Sequence, residues 1–168
     1  VTEFSSLFSV SRCLRGSNEF NSLPATPQIK IFLYLHQMLI KTFGSAVYGV
    51  EAISITVEVN WMATNTGIVL VGLPDNAVKE SLQRVESAMK GYGFSLPRTR
   101  IVINMAPADI KKSGTAFDLT IAIGILAATE KMKNIDAIDK YVIMGELSLD
   151  GDIRPIKGAL PIAIQARK

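Results

Sequence analysis

The stretch NMAPADIKKSGTAFDLTIAIGILAA, residues 104–128, decides the fold of this chain. It follows the apolar run 101–103, which is typical of a buried strand. It ends in the apolar segment 117–128, which is too long for a typical strand and predicts a buried helix. The first backbone N–H groups of a helix lack partners within the helix, and the helix dipole is positive there. A nucleophile or an anion is therefore favoured at Thr115 and Ala116.

Length and composition place the chain among globular proteins. Its 168 residues suffice for one domain with its own core, and 48% of them are apolar. The net charge of +3 permits contact with nucleic acid without requiring it. The single Cys13 excludes an internal disulfide framework. The apolar run 29–40 is too short for a membrane span, and a signal peptide is not evident. We therefore expect a cytoplasmic protein.

Periodicity along the chain predicts the order β-β-β-α-β-α-β-β-α. Residues 39–43 and the alternating segment 53–60 predict the first two strands. Residues 67–72 predict a fully buried third strand, antiparallel to the second. An amphipathic helix follows, with its N-cap at Asp75 or Asn76. The later elements are predicted at residues 101–103, 117–128, 141–144, 153–156 and 158–167.

The chain consists of two regions that differ in composition and periodicity. Residues 1–37 are rich in Ser and Asn and lack a sustained period, which predicts a poorly structured N-terminal extension. Residues 38–168 carry the regular pattern and predict the folded domain, with Met38 as the natural start. The pattern stops within a predicted helix, so we expect this domain to be the front of a longer protein.

Few motifs of known chemistry occur in the sequence. It has no GxxxxGK[ST] phosphate-binding loop, and the only histidine, His36, has no Cys or His nearby. Neither a nucleotide site nor a metal site is therefore predicted. Glu146 and Asp150 lie four residues apart around a turn, and we expect them to be solvated or hydrogen-bonded locally rather than catalytic.

Basic residues suggest one candidate surface. Lys111 and Lys112, near Arg98 and Arg100, are the candidates for a small basic patch that contacts DNA. Ordinary surface charge is the alternative.

Four runs of sequence carry a resemblance to a known family. They are KTFGSAVYGVEA from Lys41, VGLPDNAVKES from Val71, INMAPADIKKSGTAFDLTIAIGILAA from Ile103, and MGELSLDGDIRPIKGALPIAIQAR from Met144. They occur in the family's order within residues 41–168. On these runs the chain resembles the N-terminal domain of the ComM/YifB group, the magnesium-chelatase-like AAA+ ATPases.

That domain is in turn similar to the proteolytic domain of Lon proteases. The similarity implies an α/β fold like domain 2 of ribosomal protein S5, with a mixed sheet and two main helices. Lon proteases hold a Ser nucleophile in K-x-G-x-S and a Lys base in G-E-x-x-L-x-G-x-x-x-P-I-x-G-x-K. Here those two positions are Ala116 and Leu160. Because alanine has no nucleophile and leucine accepts no proton, the resemblance implies that the catalytic dyad is lost.

Two alternatives stay open. Thr115 and Lys157 lie one and three residues from the dyad positions, so a displaced dyad would make the domain an active Ser/Thr-Lys peptidase of Lon type. A shift of one residue at a helix start rotates a side chain by about 100°, which opposes this. In the structural interpretation Thr115 caps the helix and Lys157 is solvated. A chelatase role in metal insertion is suggested only by the family label.

The resemblance implies a function for a longer protein. ComM/YifB proteins carry an AAA+ motor after this domain, form hexameric rings, hydrolyse ATP with magnesium, and are linked to DNA branch migration during natural transformation. We therefore expect a non-catalytic accessory domain that serves ring assembly or DNA contact. Its partners would be its own motor, further copies and possible DNA, with no membrane partner. We expect no cofactor or metal in this chain itself.

Overall fold

The computed structural model describes residues 38–62 and 66–167. The predicted extension, residues 1–37, lies outside this range. The elements are β1 (Met38–Tyr48), β2 (Glu51–Met62), β3 (Gly67–Val71), α1 (Asn76–Gly91), β4 (Arg100–Ala106), α2 (Asp118–Ala128), a 3-10 helix (Ile135–Lys140), β5 (Glu146–Leu147), β6 (Ile153–Arg154) and α3 (Ala159–Ala166). In the described part of the chain, no helix has the length and apolar character needed to cross a bilayer.

Four strands form a mixed sheet in the order β1-β2-β4-β3. β1 and β2 form an antiparallel hairpin, β4 is antiparallel to β2, and β3 is parallel to β4. The predicted α/β class with a mixed sheet is confirmed. The predicted antiparallel pairing of β3 with β2 is wrong. Because α1 connects β3 to β4 as a crossover, these two strands run parallel, and β4 occupies the place beside β2.

The position of β3 also corrects its predicted burial. Residues 67–72 were expected to be fully buried, but Gly67 and Val71 are exposed and the three residues between them are only half-buried. Among the described strands, β3 pairs with β4 alone and lies at an edge of the sheet. Its apolar side chains therefore do not indicate a central strand.

The core is built from alternating strand residues and the inner sides of α1 and α2. In β2 the side chains of Ile55, Val57 and Val59 are buried, as the period-two pattern predicts. In β4 the burial pattern also alternates. Residues 101–103 were predicted to be buried, and this holds for Ile101 and Ile103, whereas Val102 is half-buried. These strand residues pack in one cluster with residues of both helices, among them Val85 of α1 and Ile121 of α2.

The two main helices begin in different ways. The carboxylate of Asp75 accepts a hydrogen bond from the backbone N–H of Val78 at 2.9 Å, which confirms the predicted N-cap of α1. α2 has Phe117 at its N-cap position and no side-chain cap. A Cβ added at Gly124 would lie 2.7 Å from Cγ2 of Val59, so this glycine permits the close packing of α2 on β2.

The last third of the chain contains little strand. Residues 141–144 were predicted to form a buried strand, but they form an isolated parallel bridge between Val142 and Phe43. The N–H of Ile143 donates to the carbonyl of Phe43 at 2.7 Å. β5 and β6 form a two-stranded hairpin of two residues each, and α3 packs against β1 and β2.

An ion pair between the half-buried Arg84 and the buried Asp118 connects three of these elements. The Arg84 guanidinium on α1 donates from Nε to Asp118 Oδ2 at 2.6 Å and from Nη2 to Oδ1 at 3.0 Å. Asp118 opens α2 and is fully buried, and its Oδ2 also accepts from the N–H of Leu147 in β5 at 3.1 Å. The hydrogen-bonded carboxylate raises the pKa of Arg84.

Replacement of Asp118 by alanine should destabilise the fold strongly. The change leaves the Arg84 guanidinium without its carboxylate partner and the Leu147 N–H without its acceptor. We expect the free energy of unfolding to fall by about 3–5 kcal/mol, measured by urea denaturation. In the control Glu86→Ala, which breaks an exposed i,i+4 pair with Lys90, the loss should stay within about 0.5 kcal/mol. Equal losses in the two variants would contradict this assignment.

Candidate functional site

The loop that connects β4 to α2 is fastened to the rest of the fold by Lys112. The Lys112 side chain is fully buried, and its Nζ donates to the carbonyls of Gly72, at 2.8 Å, and Pro107. Its backbone also pairs with the β3–α1 connection. The N–H of Lys112 donates to the Leu73 carbonyl at 3.3 Å, and its carbonyl accepts from the Asp75 N–H at 3.0 Å. Lys112 therefore joins two loops at one edge of the sheet.

This arrangement removes Lys112 from the candidates for DNA contact. Its side chain is 0% exposed, so it cannot reach a phosphate. Burial lowers the pKa of Lys112, partly opposed by the charge of Asp109. The sequence pattern gave no sign of this burial, since two adjacent lysines in a polar loop are typical of a solvated surface.

The predicted basic patch does not form. Arg98 and Arg100 lie at the start of β4, and Lys111 lies in the loop beyond its end. At about 3.3 Å per residue, the two ends of β4 are about 20 Å apart. Lys111 and Arg98 are exposed, so contact of either one with DNA stays a prediction, but they do not share one surface.

Thr115 is not the helix cap that the structural interpretation predicted. α2 begins three residues later, and the Thr115 hydroxyl instead donates to the carboxylate of Glu146 in β5. Arg154 of β6 lies beside the same carboxylate, with Nη1 at 3.5 Å from Oε1. The donated hydrogen bond from Thr115 and the positive charges of Arg154 and Arg84 lower the pKa of Glu146.

The two positions that the resemblance to Lon proteases assigns to the dyad are Ala116 and Leu160, whose side chains carry no nucleophile or base. Ala116 is half-buried, and its carbonyl accepts from the N–H of Gly145 at 2.9 Å. Leu160 lies on α3 and is 72% exposed. Lys157, the alternative base, is an exposed residue just before α3, and the Thr115 hydroxyl is bonded to Glu146. A hydroxyl that donates to a carboxylate of lowered pKa has no strong base to take its proton.

The carboxylates of Glu146 and Asp150 have different kinds of partner. Asp150 accepts a hydrogen bond from the Ser148 hydroxyl, which lowers the pKa of Asp150, so this residue is hydrogen-bonded locally as expected. Glu146 instead accepts from Thr115, which is not a local partner. The contact between Glu146 and Thr115 was missed because the two residues are 31 positions apart in sequence and no local pattern relates them.

Among the described residues, no metal-ligand cluster adds to this site, and one cavity lies away from it. Within residues 38–62 and 66–167, no three His, Cys, Asp or Glu side chains lie together as potential metal ligands. A cavity of about 600 Å³ lies between α2 and the segment 132–144. Its lining is mostly apolar and includes none of the five positions discussed for catalysis, which are Thr115, Ala116, Glu146, Lys157 and Leu160.

Replacement of Lys112 by methionine should destabilise the fold far more than the same change at Lys111. Methionine keeps the aliphatic length but leaves the carbonyls of Gly72 and Pro107 without their donor. We expect a loss of about 2–4 kcal/mol in the free energy of unfolding. Lys111→Met, at an exposed side chain, should change it by less than about 0.5 kcal/mol. A neutral effect at position 112 would show that the buried ammonium is not needed.

The contact between Glu146 and Thr115 should make stability depend on pH in acid. The folded pKa of Glu146 lies below its ordinary value of 4.5, so its contribution is complete above that pH and is lost as the pH falls through the folded pKa. The stability difference between the wild type and Glu146→Gln should therefore be largest near neutrality and shrink in acid, as measured by urea unfolding. Thr115→Val, which removes the donor, should reproduce part of this effect. A difference that is constant with pH would contradict the assignment.

Comparison with known proteins relates the chain to one family. A family model described as subunit ChlI of Mg-chelatase matches residues 57–168. The uncharacterized protein YifB of Escherichia coli is 44% identical over 123 residues, which cover 73% of this chain and 24% of YifB. The competence protein ComM of Haemophilus influenzae is 40% identical over 126 residues, which cover 75% of this chain and 25% of ComM.

More distant similarity extends to an uncharacterized protein of Mycobacterium bovis, 35% identical over 128 residues, which cover 76% of this chain and 25% of that protein. The chain spans about a quarter of the length of the curated relatives it matches. Together, the family match and these identities show that the chain belongs to the magnesium-chelatase ChlI-like family, with YifB and ComM among its relatives.

Proposed function

We propose that this chain is an accessory region, without catalysis of its own, of a longer ATP-dependent, DNA-acting protein of ComM/YifB type. In such a protein an AAA+ motor would bind ATP and magnesium and form a hexameric ring in the cytoplasm. The 40% identity with ComM, which is named a competence protein, supports a role in competence. The region described here would serve ring assembly, DNA contact or both.

The observation that carries the non-catalytic part of this proposal is the hydrogen bond from Thr115 to Glu146. Thr115 is the residue adjacent in sequence to Ala116 that carries a hydroxyl, and it donates to an acidic side chain rather than to a lysine. The two dyad positions, Ala116 and Leu160, supply neither a nucleophile nor a base. The mixed sheet, the crossover helix α1 and the buried α2 support the finer inference of a Lon-protease-like, S5-domain-2-like fold.

A peptidase assay tests the absence of catalysis. The chain is incubated with casein and with fluorogenic peptides, beside a Thr115→Ala, Lys157→Ala double variant. We expect wild type and variant to give the same background hydrolysis, because no base is placed to activate the hydroxyl. Cleavage by the wild type that is lost in the double variant would establish the Ser/Thr-Lys peptidase and end the proposal.

Retention on DNA separates the two accessory roles. If the region contacts DNA through Lys111, retention should fall steeply with salt, because each phosphate contact releases counterions. Lys111→Glu should then weaken retention and reduce the salt slope by about one, whereas Lys79→Glu, an exposed change on α1, should leave both unchanged. Retention that is absent or insensitive to salt would leave ring assembly as the role.

A further inference from the structure

Basic residues gather at the end of the sheet where β4 begins. Two segments meet there, because residues 95–100 lead into β4 and residues 129–134 follow α2. The Nζ of Lys131 donates to the carbonyl of Ser95 at 2.7 Å and so joins the two segments. Together they contain four basic residues, here called the basic end. These are Arg98, Arg100, Lys131 and Lys133.

The positive charge of the chain is concentrated at the basic end. The two segments contain one acidic residue, Glu130, so their net charge is +3. The whole chain of 168 residues has the same net charge, +3. The residues outside the two segments therefore carry equal numbers of basic and acidic side chains, and the excess that attracts anions lies at this one place.

The basic end is not neutralised by neighbouring acids. Within residues 38–62 and 66–167, none of its four side chains takes part in an ion pair. The 3-10 helix that follows carries Asp136 and Asp139, but this helix packs against β1, which β2 separates from β4. The positive charge of the basic end is therefore available to an external partner.

The backbone beneath the basic end is fixed. The N–H of Phe94 donates to the carbonyl of Met89, near the end of α1, at 2.8 Å. Trp61 of β2 donates from Nε1 to Oγ1 of Thr99 at 2.6 Å. The segment that leads into β4 is thus attached both to α1 and to β2, and its charged side chains start from a defined position.

The basic side chains are accessible and close enough to act together. Arg98, Lys131 and Lys133 are exposed, and Arg100 is half-buried. An ammonium has three N–H donors, so the bond from Lys131 to Ser95 leaves two for a ligand. Three residues span at most about 11 Å, which limits the distance from Ser95 to Arg98. Since each DNA strand carries a phosphate every 3.4 Å or so along the axis, these groups can reach neighbouring phosphates.

We propose that the basic end contacts DNA through the phosphates of its backbone. This inference rests on the proposed function, which includes DNA contact, and it names the surface that makes the contact, at the opposite end of β4 from Lys111. Cations that the described residues leave without a carboxylate partner complement the charge of a phosphate backbone. Because phosphates carry no sequence information, duplexes of unrelated sequence bind equally well.

Fluorescence anisotropy of a labelled DNA duplex, titrated with the 168-residue chain at several salt concentrations, tests this surface. Arg98→Glu is the main variant, because a change at this exposed residue should leave the fold intact. Lys131→Glu is the second variant. Lys79→Glu and Lys111→Glu are matched controls, since each changes the net charge by the same amount at an exposed lysine elsewhere.

Contact with up to four phosphates predicts a slope of about −3 to −4 when the logarithm of the affinity is plotted against that of the salt concentration. Arg98→Glu and Lys131→Glu should each reduce this slope by about one and weaken binding by at least about threefold. Arg98→Lys, which keeps the charge, should retain the slope. The two control variants should bind like the wild type.

Three results would overturn the inference. Equal weakening by Arg98→Glu and Lys79→Glu would show that net charge alone acts. A loss confined to Lys111→Glu would place the DNA contact in the loop before α2. Absence of binding by the wild type at low salt would leave ring assembly as the accessory role. The proposed function fails separately, by peptide cleavage that depends on Thr115 and Lys157, whichever surface binds DNA.

Discussion

The fold depends most on one carboxylate, that of Asp118. Fully buried at the start of α2, it accepts two hydrogen bonds from Arg84 of α1 and one from the backbone of Leu147 in β5. A buried charge is tolerated only when such partners satisfy it. Because its partners come from two other elements, the pair sets the position of α2 relative to both. The loop before α2 and the turn that carries Glu146 are thereby brought together.

A second buried charge, that of Lys112, fixes the middle of that loop. The Lys112 ammonium bridges the carbonyls of Gly72 and Pro107. Gly72 has a positive φ of 98°, and a Cβ there would lie 2.1 Å from the carbonyl oxygen of Met105, so only glycine allows this approach. The contacts of Lys112 and Asp118 thus fix the loop against the β3–α1 connection and β5. In this loop the Thr115 hydroxyl donates a hydrogen bond to the carboxylate of Glu146.

The sequence predicted what local patterns determine. The alternation in β2, the Asp75 cap and the helix 118–128 follow from period and capping rules. The pairing of β3 could not be predicted from its sequence. An apolar strand at the edge of a sheet has the same residue pattern as a central strand, and the crossover through α1 determines that β3 pairs with β4. The burial of Lys112 and the bond from Thr115 to Glu146 were missed because their partners are distant in sequence. The assignment of Ala116 and Leu160 to dyad positions came from the resemblance to Lon proteases and stays a prediction.

The edge position of β3 bears on how this region behaves at high concentration. Its five residues, GIVLV, include no lysine and no proline, two residues by which sheet edges commonly discourage pairing with other chains. An apolar edge of this kind is a template for intermolecular strand addition and aggregation. Pairing of this edge with another copy is therefore the route by which we expect the isolated region to aggregate at high concentration.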